Sequence, residues 1–118
     1  RRMHRQVLTI TLVLLMFNVF GSDEGSNVDD SGLAFEDKLA ACAACHGVNG
    51  DAPLAPDYPV LAGQYKDYLQ SALSDYKTGR RQHIIMNMQV EALQLSDSDI
   101  ERLSAYFASK SGVVGLGE

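Results

Sequence analysis

Cysteine and histidine are scarce here: 118 residues hold two of the first and three of the second. A structural zinc site draws four ligands from these residue types, and His4 and His83 form no second ligand pair. Strand signals are missing as well. No stretch alternates apolar and polar residues, and a thioredoxin-type dithiol needs strand–helix alternation around it, so that reading falls too. There is no internal repeat, and this length leaves room for one domain with a small core. Positive charge is short where nucleic acid would require it. All fifteen acidic residues follow Gly21, against seven of the ten Lys and Arg, a balance near −8. Nucleic acid is excluded as a partner for such a surface.

What is present is Cys42-Ala43-Ala44-Cys45-His46. Three residues apart on a helical turn, the two thiols leave the same face, where they can add to the two vinyl groups of a haem. His46 then lies beneath the porphyrin with its imidazole aimed at the iron. A structural disulfide between Cys42 and Cys45 stays open for an exported chain. Neither a disulfide nor zinc nor a dithiol requires a histidine at position 46, whereas haem attachment does. One covalent haem c is therefore the expected cofactor. It would also supply much of the apolar volume of a small core.

The chain opens with three arginines and a histidine around Met3, followed by an apolar run over residues 7–20. A basic segment before an apolar one is the grammar of export. The run is fourteen residues long and includes Asn18, whereas spanning a bilayer takes about twenty. Residues 1–21 are thus expected to be a cleaved signal peptide, cut after the small Gly21, or an N-terminal membrane anchor. In either case the haem domain lies in the periplasm, outside the cytoplasm. Residues 22–31, polar, acidic and glycine-containing, are expected to be a flexible linker, and residues 32–118 the monohaem domain.

Within that domain the periodicity predicts a helix over 33–41, with Phe35, Leu39 and Cys42 on one face. Gly47 to Asp51 breaks it, and Pro53, Pro56 and Pro59 keep the next segment extended. A ligating histidine donates its second ring proton to an acceptor, here assigned to the carbonyl of Pro59. A second helix over 64–78 carries Tyr65, Tyr68, Leu69, Ala72, Leu73 and Tyr76 as a stripe and stops at Gly79. A basic cluster, Arg80 and Arg81, then leads into a loop holding Met86 and Met88. The last helix starts with Ser96 as N-cap and Asp99 at the capping-box position, buries Ile100, Leu103, Tyr106 and Phe107, and ends near Gly112. The fold class is all-α, with three to four helices around the haem.

Taken together these residues resemble a class I c-type cytochrome, and most of all one haem domain of the bacterial cytochrome c-four type. The resemblance runs from about Leu33 to Ser109. It rests on the haem motif with Gly47, on Pro59-Val60-Leu61-Ala62-Gly63-Gln64, on Gly79-Arg80-Arg81, and on Leu95-Ser96-Asp97 leading to Ala105-Tyr106-Phe107. There is no second Cys-x-x-Cys-His motif, so the chain carries one haem. The resemblance implies a methionine as sixth iron ligand: Met86 by counting from Gly79, Met88 by counting from Leu95, with Met86 preferred. It implies that the first and last helices cross beside the haem, with Phe35 against Tyr106 and Phe107. An arginine of the Arg80–Arg81 pair is expected to face a haem propionate. The function implied is one-electron transfer between redox protein partners rather than enzymic turnover. Two alternatives stand beside it: a membrane-tethered electron-transfer subunit of a larger oxidoreductase, with membrane association through residues 7–20, and an open-site haem protein lacking a methionine ligand.

Overall fold

A computed structural model describes residues 31–112, which form four helices and no strand. They are α1 (Phe35–His46), α2 (Lys66–Thr78), α3 (Ile84–Ala92) and α4 (Asp97–Ala108). The all-α expectation holds. Residues 1–21 and nearly all of the 22–31 linker lie outside the described residues. Among the described residues no helix is long and apolar enough to cross a membrane.

Local chemistry explains where each helix starts and stops. The first helix continues past Ala41 because nothing breaks it before Gly47, whose φ of 91° an L side chain rarely adopts. The haem motif therefore forms its C-terminal turn. The second begins at Lys66, with Tyr65 still extended and its N–H held at 2.9 Å by the side chain of Gln64. It closes on left-handed Gly79. The fourth opens on the expected capping box: Asp99 N donates to Ser96 Oγ at 3.0 Å and Ser96 N to Asp99 Oδ2 at 2.9 Å.

The methionine segment departs from expectation. It is helix α3, not a loop. His83 caps it through an Nδ1 that accepts from Met86 N at 3.4 Å, and Asn87 Oδ1 accepts from His83 N at 2.6 Å. The Asn87 amide reaches back to the carbonyls of Tyr76 at 2.9 Å and Arg81 at 3.1 Å, tying α3 to the end of α2. Apolar residues at 84, 85, 86, 88 and 90 surround this short helix rather than marking one face, so spacing gives no helical signal.

The core gathers Phe35, Val90, Leu95, Ile100 and Leu103, with Leu39, Cys42, Leu73, Tyr76 and Leu93 packed against it. Phe35 thus joins α4 at Ile100 and Leu103, a turn earlier than the Tyr106 and Phe107 expected of the helix crossing. Its ring is covered by Arg102, whose guanidinium carbon lies 3.7 Å from the ring centroid. Lys38 explains the offset. It is fully buried and its Nζ lies 2.7 Å from Asp99 Oδ2, which draws the start of α1 to the start of α4. Sequence pattern reads a lysine there as solvated. Exposed pairs, Lys66–Glu101 at 3.1 Å and Lys77–Asp97 at 2.9 Å, join α2 to α4 and add little.

Candidate functional site

The end of α1 presents Cys42, Cys45 and His46 within one helical turn. Both cysteines are half-buried free thiols. Burial, reinforced by the neighbouring Cys45, outweighs a backbone hydrogen bond and pushes the Cys42 thiol up to about 11.

His46 is 7% exposed, and its Nδ1 lies 2.9 Å from the carbonyl oxygen of Pro59, the acceptor anticipated for it. A carbonyl only accepts, so Nδ1 carries the proton and donates. Nε2 is left with its lone pair, the form in which imidazole binds a metal. The Tyr58 ring stands 6.2 Å away, tilted by 45°.

A loop of unusual closeness delivers that carbonyl. Gly50 has φ 76°, and a Cβ built on it would fall 2.7 Å from Phe107 Cδ1 and 3.0 Å from Leu61 Cβ. The loop returns along Leu54 N to Cys45 O at 2.8 Å, then Leu61 N and Ala62 N to Gly50 O at 2.7 and 3.1 Å. Two ties fasten it to α4: Gly63 N donates to Phe107 O at 3.0 Å, and Tyr106 Oη to Val48 O at 2.9 Å. Tyr106 was legible in the sequence only as a packing residue. Nothing in the spacing of residues 48 and 106 announces a hydroxyl-to-carbonyl tie between them.

Cys42, Cys45, His46 and Pro59 thus come together, while the remaining candidates sit on other elements. Met86 is half-buried and lies four residues before buried Val90, on the same side of α3. Met88 is 56% exposed. Arg80 pairs with Asp75 at 2.7 Å. Arg81 lies 5.0 Å over the Tyr76 ring, and its hydrogen bond to Tyr68, with Tyr76 and Asp75 nearby, holds its guanidinium above the ordinary value.

The donor set fits one kind of group. Among the described residues no cluster of three or more His, Cys, Asp or Glu could hold a bare metal ion. A buried imidazole with its Nδ1 fixed and its Nε2 available, next to two thiols on one helical turn, suits a metal carried in a covalently tethered macrocycle.

Comparison with known proteins agrees. The cytochrome c family model matches residues 34–111. The chain is 42% identical over 81 residues to cytochrome c4 of Pseudomonas aeruginosa, covering 69% of this chain and 39% of that protein. It is 35% identical over 113 residues to cytochrome c4 of Stutzerimonas stutzeri, covering 90% and 52%. Cytochrome c-554(548) of Halomonas halodenitrificans is 42% identical over 78 residues, 65% of this chain and 93% of that protein. The chain spans about half or less of the two cytochrome c4 relatives and nearly all of the third.

Proposed function

The chain belongs to the cytochrome c family, and from that footing we propose that it carries single electrons on a haem iron held by His46 and Met86. Its cofactor is haem c, bound covalently, and its activity is haem-based electron transfer. The observation that supports the ligand assignment best is the 2.9 Å contact between His46 Nδ1 and Pro59 O. With Nδ1 engaged by that carbonyl, Nε2 of His46 would be the atom available to hold the iron.

Haem, when bound, supplies an iron that alternates between ferrous and ferric states. Cys42 and Cys45 would hold the haem through thioethers, each S–H adding across a vinyl group with one C–S and one C–H bond formed and nothing released. The Met86 thioether, a soft donor, favours the ferrous state, and Met88 is the alternative sixth ligand. At least one of Arg80 and Arg81 is assigned to a propionate, in exchange for or in addition to its present partner, Asp75 for Arg80 and Tyr68 for Arg81. Held by His46 and Met86, the group would supply electron exchange rather than a substrate site. The partners are redox proteins met in the periplasm, with the carrier either released by cleavage after Gly21 or tethered through residues 7–20.

Met86→Ala tests the ligand set. The haem should stay attached, the far-red band of methionine–iron bonding should vanish from the ferric spectrum, ferrous iron should take up carbon monoxide, and the potential should fall. Band loss in Met88→Ala instead would move the ligand by two residues and leave the carrier reading intact. An intact mass of the purified protein reports haem attachment and N-terminal processing together. A mass without haem would end the reading.

A further inference from the structure

His46 is not held by its own loop alone. Its acceptor, Pro59, begins a segment pinned at Leu61 and Ala62 to the carbonyl of Gly50, and at Gly63 to the carbonyl of Phe107. The turn at residues 47–50 is pinned in its own right. Tyr106 Oη donates to Val48 O at 2.9 Å, and Gly50 sits so close to Phe107 that a side chain there would collide with the ring. The ties at Gly63 and Val48 and the close approach at Gly50 converge on the last turn of α4. Tyr106 itself has little freedom: its ring stands edge-on to Phe107 with centroids 5.1 Å apart, and Lys110 Nζ lies 4.2 Å over its face.

We propose that Tyr106 is a positioning residue for His46. By holding Val48, two residues beyond the ligand, Tyr106 fixes the turn on which the Pro59 segment hangs. It thereby sets the strength of the hydrogen bond at His46 Nδ1 and, through the ring, the basicity of Nε2. A firm bond at Nδ1 makes the imidazole a stronger donor and favours ferric iron. Loosening it shifts the balance towards ferrous. This inference rests on the haem reading above, and its test is chosen to separate the two.

Tyr106→Phe removes the hydroxyl and keeps the ring against Phe107 and Lys110. In the haem-loaded protein the potential should rise. The amide protons of Leu61 and Ala62 and the Nδ1 proton of His46 should exchange faster by about two- to tenfold, the range set by one lost hydrogen bond. Lys77→Gln, which breaks an exposed ion pair between α2 and α4, should leave all of these unchanged. A Tyr106→Phe protein that melts earlier but keeps the original potential and exchange rates would show a purely structural role and overturn the proposal. Faster exchange at Leu61 and Ala62, in a protein whose unaltered form lacks the methionine–iron band, would sustain the positioning role while refuting Met86 as ligand.

Discussion

His46 ends a helix, is 7% exposed, and gives its ring proton to the carbonyl of Pro59, whose following residues Leu61, Ala62 and Gly63 are tied to Gly50 and Phe107. Met86 lies in the first turn of a short helix, and both the four residues from Arg80 to His83 before that turn and Ile84 that opens it are exposed. Its segment leans on one side chain, Asn87, which makes three hydrogen bonds at 2.6, 2.9 and 3.1 Å. The histidine side is built from backbone closures that tolerate almost no added atom. The methionine side is a short helix fastened by Asn87 and by Val90 in the core. Changes on the first should therefore register as stability together with potential, and changes on the second as ligation and potential with little loss of stability.

The sharpest way to break that contrast is to remove the tether. Cys42→Ala or Cys45→Ala should leave no cooperative melt, because a small domain has little stability to spare once its central group is not secured. An unchanged melting curve in either variant would show that the histidine side stands without it. Next in size is Lys38→Met, which leaves the Asp99 carboxylate buried without its ammonium partner. The cost should be about 3–5 kcal/mol in urea unfolding, and Lys38→Met combined with Asp99→Asn should recover most of it. A loss below 1 kcal/mol, taken as roughly the value of an exposed pair, would deny the buried pair its role. Gly50→Ala comes third, at about 1–3 kcal/mol from the left-handed φ, with the Phe107 contact adding to it. Met88→Ala is the smallest, within about 0.5 kcal/mol and with no spectral change, since the side chain is mostly exposed.

Much of the helical frame was legible because its signals are local. Ser96 and Asp99 spell a capping box, Gly79 a helix stop, and residues 42–46 an attachment site, each within five positions. The third helix was not, because Ile84, Ile85, Met86 and Met88 give no single apolar face, and its cap is a histidine held by an asparagine four residues on. Lys38 was hidden for a different reason. Three residues after Phe35, it occupies an inward position that the pattern of apolar residues leaves blank, and only the distant Asp99 makes its charge tolerable there. Tyr106 was seen as apolar bulk because its hydroxyl matters only once Val48, 58 residues earlier, has folded beside it.

One oxygen of Asp99 closes the α4 cap and receives the Lys38 ammonium, across a separation of 61 residues. A ribosome makes Lys38 first. Until position 99 has been added, the helix bearing Cys42 and Cys45 cannot gain that counter-ion, so one of its fastenings to the rest of the domain arrives late in synthesis. The order of manufacture therefore leaves the two thiols on a helix not yet locked down until α4, the last of the described helices, emerges to lock it.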